Sequence, residues 1–305
     1  MSLRMWLNPK HTKANPKKTF FSPFSFFSGL KSVTVLIVAS KTDVASLNIA
    51  EKIISNYKFE KTAASFQQNP VYAKSVEGVE VSLVFINQET IWAQDITDYL
   101  KPQLIIFISR HSGVAGIPTL SVHTPGNLTS EAKFGGNPQR ISISPAGAMK
   151  NALLEMARLR NEKSLDYEVS YECTHHGPSL DVPTMFAELG SSERQWEDLQ
   201  AAEVVAHAIM AAVKGKSNES AVLGVGGPHY NKRFTEIALS SSKAFGHIIP
   251  KYATPHVDAE MILQCVERTQ ERVEAAVFDW KGMRGTDRER IAETLKGLRI
   301  AVEKA

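Results

Sequence analysis

Ser32-Val33-Thr34-Val35-Leu36-Ile37-Val38-Ala39 is a continuous apolar run rich in β-branched side chains. A run without polar alternation suits a strand covered on both faces, as in the sheet of an α/β protein. Ser40 to Asp43 turns the chain, and Asp43 is placed to cap a helix carrying Ala45, Ile49, Ile53 and Ile54 on its inner side. Val79 to Ile86 reads as a second strand and Leu104 to Ser109 as a third. Strand and helix in this order predict an α/β fold. Neither GxGxxG nor GxxxxGK[ST] follows the first strand, so the phosphate cradles of Rossmann dehydrogenases and P-loop ATPases are missing.

Outward from that strand, 305 residues with 43% apolar and 22% charged side chains describe an enzyme-sized soluble chain with a substantial core. A net charge of +3 permits nucleic-acid binding without requiring it. Cys173 and Cys265, far apart and outside any CxxC, exclude a disulfide framework and a zinc knuckle. No apolar run approaches the roughly 18 residues of a membrane span. Residues 1–31 carry Arg4, Lys10, Lys13, Lys17, Lys18 and Lys31, and no acid precedes Asp43. That composition resembles an organellar transit peptide, and equally a basic leader without an address. The expected organisation is this leader followed by one domain over 32–305. The cytoplasm, with the nucleus second, is the expected compartment, or a chloroplast or mitochondrion if the leader is a transit peptide.

Toward the third strand's end the chain reads Ser109-Arg110-His111-Ser112-Gly113, followed by Leu120-Ser121-Val122-His123. Ligands of open α/β sheets bind at the carboxyl ends of strands, which gives Arg110, His111 and His123 weight beyond that of a rim ion pair or a backbone-bonded histidine. Gly135-Gly136-Asn137-Pro138 reads as a turn in a mobile loop. Arg140 to Ser144 reads as a short strand, and Ala146 to Lys163 as a helix. An alternating run, Leu165 to Tyr171, leads into Glu172-Cys173-Thr174-His175-His176-Gly177-Pro178, where a backbone turn would let both histidines converge. Phe186 to Ser192 leads into a helix capped by Ser192 with Gln195, its stripe running from Trp196 to Ile209. His207 on that helix reads as a packed or solvated residue. Ser220 to Gly224, a strand, runs into Gly226-Gly227-Pro228-His229-Tyr230-Asn231-Lys232-Arg233, where glycines allow close backbone approach beside positive charge. A helix over Ala259 to Ala275 and a basic amphipathic tail, Lys281 to Ala305, complete the pattern; such a tail is first a solvated face and only then an RNA-facing one.

His123-Thr124-Pro125-Gly126-Asn127, Glu172 to Pro178, Glu188-Leu189-Gly190-Ser191-Ser192, Gly226 to Tyr230 and Gly246-His247-Ile248 follow one another in the order and spacing of one family. From Ser32 to the C terminus the chain resembles the D-aminoacyl-tRNA deacylases of archaeal and plant type. The resemblance implies a zinc-dependent hydrolase of the ester between a D-amino acid and tRNA. It also implies a three-layer α/β/α core with a mixed central sheet, like that of phosphorylases and peptidyl-tRNA hydrolases. The plant branch is further associated with aldehyde-modified D-aminoacyl-tRNA.

Such hydrolysis needs a nucleophilic water, a sink for oxyanion charge and a proton for the departing ribose oxygen. Zinc, expected at two ions per chain, would supply the first two. His175, His176 and Glu172 are the first candidates for ligation and catalysis. His229, His123 and His111 compete for a second ion or for acid/base roles, and spacing does not separate these assignments. Cys173 is either a thiolate ligand or a buried neighbour. Arg110, Lys232 and Arg233 are candidates for tRNA phosphate and ribose, and Tyr230 for the terminal adenine. The expected partner is the acceptor end of D-aminoacyl-tRNA, with no membrane and no stable protein partner, on a monomer. Two rivals remain: a phosphorylase-like or other metallohydrolase on the same core, with phosphate at Gly226 to Arg233, and a non-catalytic RNA-binding protein with inert histidines.

Overall fold

Successive side chains of the first strand enter two different cores. In the computed structural model, which describes residues 34–215 and 220–305, β1 (Val35–Ser40) sends Val35, Ile37 and Ala39 into one apolar cluster and Leu36 and Val38 into another. Period-two alternation with both faces covered explains why the run is uninterrupted. Burying each of these Leu, Ile and Val side chains contributes roughly 1.5–3 kcal/mol. The basic leader at 1–31 lies outside the described residues.

α1 (Val44–Tyr57) starts at Asp43, whose Oδ1 accepts from the Ser46 amide at 3.1 Å. Its Oδ2 accepts from the Arg110 amide at 2.7 Å, so one carboxylate caps the helix and fixes a neighbouring strand near its end. Asp43→Ala orphans both amides and should cost about 2–3 kcal/mol. Urea denaturation should show a lower midpoint at unchanged slope; an unchanged midpoint would mean that water replaces the carboxylate without loss.

The chain continues through the hairpin β2 (Glu60–Phe66) and β3 (Asn69–Val76), then β4 (Val79–Ile86), α2 (Ile96–Tyr99), β5 (Leu104–Ser112) and β6 (Thr119–His123). The short pair β7 (Gly126–Asn127) and β8 (Arg140–Ile141) precedes α3 (Ala146–Glu162), β9 (Glu168–Tyr171), β10 (Thr184–Ser191), α4 (Glu193–Trp196) and α5 (Leu199–Lys214). β11 (Ala221–Val225), α6 (Lys232–Ser240), β12 (Ala244–Ile249), α7 (Ala259–Glu267), β13 (Val273–Phe278), α8 (Gly285–Gly297) and β14 (Ala301–Lys304) follow. The main sheet has eight strands in the order β2-β3-β4-β1-β5-β10-β6-β9. It is mixed, because β1, β4, β5 and β10 run parallel while β6 lies antiparallel to β10. Helices α1, α3 and α5 cover one face. A second, parallel sheet, β12-β11-β13-β14, packs α7 and α8 on its far side.

The α/β class and the mixed, helix-flanked sheet are as expected; several boundaries are not. Phe186 to Ser191 does lead into a helix, α4, and is itself part of β10, buried throughout inside the sheet. The long helix expected after Ser192 is two: α4 stops at Trp196, and α5 starts from Asp198, whose Oδ1 accepts from Gln200 and Ala201 amides at 2.9 and 3.1 Å. Ser192 instead turns its hydroxyl to the Gln195 side chain. The helix expected to reach Ala275 ends at Glu267, because Val273-Glu274-Ala275-Ala276-Val277-Phe278 pairs with β11. The basic tail divides into α8 and β14.

Candidate active site

Three neighbouring strands put a row of side chains on one face. In the register of β5, β10 and β6, Phe107 lies beside Phe186 and Phe186 beside His123. The rings stack in that order, Phe107 on Phe186 at 4.9 Å and Phe186 on His123 at 5.0 Å with planes 10° apart. Two residues further along β5 and β10 come Ser109 and Glu188, and then His111 beside Gly190. Only glycine fits there, since a Cβ on Gly190 would stand 2.3 Å from the His111 carbonyl oxygen.

The heptad Glu172 to Pro178 crosses the ends of these strands with its backbone anchored at almost every residue. The amides of Glu172, Cys173, Thr174 and Gly177 donate to the carbonyls of Val122, His229, Ile248 and Phe134 at 2.9–3.0 Å. The Gly126 amide meets the carbonyls of both His175 and His176. His176 has a φ of 39°, the left-handed turn that brings the two adjacent imidazoles to one side. Gly135 and Gly136, expected in a mobile loop, are pinned against this turn. Asn127 donates to the Gly135 carbonyl at 2.8 Å, and a Cβ on Gly135 would lie 2.0 Å from the Ile91 carbonyl oxygen.

Six predicted residues converge here: His111, His123, Glu172, His175, His176 and His229. Glu172 is central, its side chain fully buried. One oxygen, Oε2, lies 2.9 Å from His229 Nε2 and 3.7 Å from His175 Nε2, and Oε1 lies 3.4 Å from His111 Nδ1. The Nε2 atoms of His123 and His176 are 3.2 Å apart. A cleft of about 670 Å³ opens over this group, walled also by Arg110, Tyr230 and Tyr252.

The backbone sets the tautomers. His175 Nδ1 donates to the Cys173 carbonyl at 2.8 Å and His176 Nδ1 to the Gly177 carbonyl at 2.7 Å. Carbonyls only accept, so each neutral ring turns a bare Nε2 lone pair inward, the arrangement in which outer-sphere carbonyls orient metal-ligating histidines. Burial, reinforced by the neighbouring imidazoles, holds His175 and His123 well below the usual histidine range. Burial likewise pulls His176 down to about 4 against its bond to Gly177. All three are therefore neutral at physiological pH. The donor atoms of His123, His175 and His176 lie within 4.8 Å of one another, as do those of His111, Glu172 and Glu188, and those of Cys173, His175 and His229. His123 Nδ1 and Glu172 Oε1, both buried, have no hydrogen-bond partner. Crowded bare nitrogens and an unsatisfied carboxylate oxygen are the donor set of a divalent cation with nitrogen and oxygen preference.

Charges in the remainder of the site divide into two pairs. Burial opposes ionisation of Glu172, but the His229 hydrogen bond and the surrounding imidazoles outweigh it and hold its carboxyl well below the usual range. Burial also opposes the charge on His229, yet Cys173 and Glu172 beside it push this imidazole up to about 10. Glu188 behaves oppositely: burial, helped by the charge of Glu172, raises it to about 7 despite the opposing bond from His111. Ser109 donates to Glu188 Oε1 at 2.7 Å, Glu188 Oε2 lies 3.5 Å from His111 Nδ1, and His111 Nε2 lies 2.9 Å from the Tyr230 hydroxyl. Glu188, His111 and Tyr230 thus form a line of polar groups that ends in the cleft.

Other predicted residues take different places. Arg110 reaches the cleft wall with its guanidinium spent on Glu89 and lying over the Trp196 ring. Lys232 and Arg233 open α6 and do not line the cleft. The Gly226-Gly227 loop is closed on itself as Asn231 donates to the Gly226 carbonyl at 3.1 Å, and Asn231 and Met283 fill the space that a phosphate cradle would need. Cys173 is fully buried, with Sγ 3.3 Å from both His229 Nδ1 and the Tyr252 hydroxyl. Glu188 was not among the predicted site residues. Its signal was a carboxylate interrupting the apolar run Met185-Phe186-Ala187-Glu188-Leu189.

Comparison with known proteins followed the same line. A family model described as D-aminoacyl-tRNA deacylase matches residues 98–303. The protein named D-aminoacyl-tRNA deacylase in Pyrococcus furiosus is 41% identical over 265 residues, spanning 83% of this chain and 93% of that one. Its namesake in Methanosarcina acetivorans is 37% identical over 278 residues, spanning 88% and 92%. A crystal structure described as a conserved protein of unknown function superposes with a TM-score of 0.81 at 31% identity, covering 90% of this chain and 96% of that one.

Proposed function

The chain belongs to the D-aminoacyl-tRNA deacylase family, and from that premise we propose how its cleft hydrolyses the ester joining a D-amino acid to tRNA, releasing both. The observation that carries the reading is the convergence of His111, His123, Glu172, His175, His176 and Glu188 from four strand ends, with their metal-type donor atoms facing one another. We assign Zn²⁺ to His123, His175 and His176, the group whose imidazole donor atoms lie together. When bound, zinc supplies Lewis-acid polarisation and a lowered pKa for water.

The chain's own groups move the protons. Glu172 and His229, 2.9 Å apart, form an ion pair in which the carboxylate orients the imidazole and holds it protonated, pushed up to about 10, as a fixed donor for the oxyanion that develops on the ester. Glu188, raised to about 7, retains a proton over much of the neutral range. Through His111 it keeps the Tyr230 hydroxyl supplied as that group protonates the departing ribose oxygen. Cys173, buried behind His229, positions that ring; the Sγ is too enclosed to meet an ester.

The test is release of D-tyrosine and L-tyrosine from the corresponding charged tRNAs before chelation, after it, and after zinc is restored. Chelation should lower D-tyrosine release about 100-fold or more, with zinc restoring it, and L-tyrosine release should stay low throughout. Full activity in protein shown to be metal-free would remove zinc from the reading. No release of either amino acid by zinc-loaded protein would remove the reaction itself.

A further inference from the structure

Outside the cleft, most cations whose contacts are described are neutralised by carboxylates, as in Arg158 with Glu155, Arg268 with Asp181 and Lys243 with Glu303. Arg288 and Lys304 differ. Their charged ends lie 4.1 and 5.5 Å from the ring centre of Trp280, which is 38% exposed. Arg288 also donates to the Trp280 carbonyl at 3.0 Å, and among the described residues neither cation pairs with a carboxylate. The nearby acids are already engaged: Asp279 accepts from the Gly282 amide at 3.2 Å and Asp287 from the Thr254 hydroxyl at 3.3 Å. An aromatic ring holding two cations fixes their position without cancelling their charge.

This group is continuous with the catalytic cleft. The strands of the second sheet are parallel and ordered β12-β11-β13-β14. Tyr252, His229, Trp280 and Lys304 therefore all stand at or just beyond carboxyl ends, in a row about 14 Å long at roughly 4.8 Å per strand. The loops are tied together, with the Lys251 amide donating to the Gly227 carbonyl at 2.8 Å and the Gly227 amide to the Gly282 carbonyl at 3.3 Å. Tyr252 is 58% exposed and places its hydroxyl 3.4 Å from His229 Nδ1, so His229 stands between this planar ring and the cations. Exposed Lys281 and Arg284 extend the positive rim.

We propose that this rim, from Tyr252 through Trp280 to Arg288 and Lys304, is the docking surface for the phosphate backbone of the tRNA 3′ end. Arg288 and Lys304 contact phosphates, and Tyr252 receives a base against its ring. The inference rests on the deacylase reading, because it supplies the nucleic-acid half of that substrate. It moves tRNA recognition from Arg110, which is spent on Glu89, and from Lys232 and Arg233, which do not line the cleft, to Arg288 and Lys304. Phosphate contacts of this kind position the substrate and carry affinity, and stacking on an aromatic face tolerates any base.

The experiment compares wild type with the double variant Arg288→Gln and Lys304→Gln on two substrates. One is D-tyrosyl-tRNA; the other is 3′-O-D-tyrosyl-adenosine, which keeps the ester and lacks every phosphate. The expected result is a KM for the tRNA raised about tenfold at unchanged kcat, with the adenosine ester cleaved within twofold of wild type. The dependence of log(kcat/KM) on log salt should become shallower by about 1.4, two single-strand phosphates at roughly 0.7 each. Unchanged KM and salt slope for the tRNA would overturn the proposal, and so would equal slowing on both substrates. Retention of uncharged tRNA on a filter should show the same change in salt slope. This arm still decides the proposal if wild type cleaves neither ester, the outcome that would sink the deacylase reading.

Discussion

His175→Ala lowers kcat/KM for D-tyrosyl-tRNA by about 1,000-fold, the scale expected when several kcal/mol of transition-state stabilisation are lost. His175 belongs to two of the three groups whose donor atoms crowd together, with His123 and His176 and with Cys173 and His229, and its Nε2 lies 3.7 Å from Glu172. Removing it therefore weakens both the imidazole cage and the setting of the carboxylate. The fold should survive. The backbone at this position stays anchored because the Gly126 amide still meets the His175 carbonyl, and the side chain's bond to the Cys173 carbonyl is worth only about 1 kcal/mol. Three readouts check this: single-turnover release of D-tyrosine, zinc content after dialysis, and the urea midpoint. A loss of less than tenfold with full zinc content would exclude His175 as a ligand.

Gly177→Ala damages the same centre without touching a catalytic side chain. A Cβ on Gly177 would lie 2.1 Å from the Gly136 nitrogen and 2.3 Å from the Gly135 carbonyl carbon. Both are backbone atoms of residues at φ +74° and +78°, held by Asn127, Ile91 and Ser179. No side chain can swing aside, so one loop must move from the other and the bond from the Gly177 amide to the Phe134 carbonyl breaks. Overpacking together with a lost buried hydrogen bond should cost about 3 kcal/mol. The displaced His176 should lower kcat about 100-fold, the usual scale for a misplacement near 1 Å. Wild-type stability and activity in this variant would show that the two loops are not locked together.

The sequence was most legible where one physical signal acted alone. The uninterrupted apolar run suits a strand buried on both faces, and its described part, Val35 to Ala39, lies in one; Asp43 caps the helix that follows, as expected. The histidines at strand ends likewise meet around Glu172. Legibility failed where tertiary contacts overrode local pattern. The β2–β3 hairpin turns on Gln67 and Gln68, at φ 48° and 64°, so no glycine or asparagine marked it. The strand character of β10 before α4 was hidden because Gly190 and Ser191 resemble turn chemistry, whereas the glycine is there to admit the His111 backbone. Arg110 is a tRNA-contact candidate by sequence with a rim ion pair as its alternative, and the partner that realises the ion pair, Glu89, 21 positions away, is invisible to spacing. The cations that are free are held by Trp280, across a fold that brings residues 280, 288 and 304 together.

Glu172 follows a strand of the main sheet, while its partner His229 follows a strand of the second, and an isolated bridge joins Glu172 to Tyr230 between them. The reactive centre is thus also the seam of the molecule. A nascent chain in which only the main sheet has formed has Glu172 without its imidazole partner and the Glu188–His111 pair without its phenol. Such an unfinished polypeptide emerges among high concentrations of aminoacyl-tRNA, whose esters are all chemically alike. Tying competence to closure of the seam keeps a half-built hydrolase silent until the walls that distinguish one ester from another are in place.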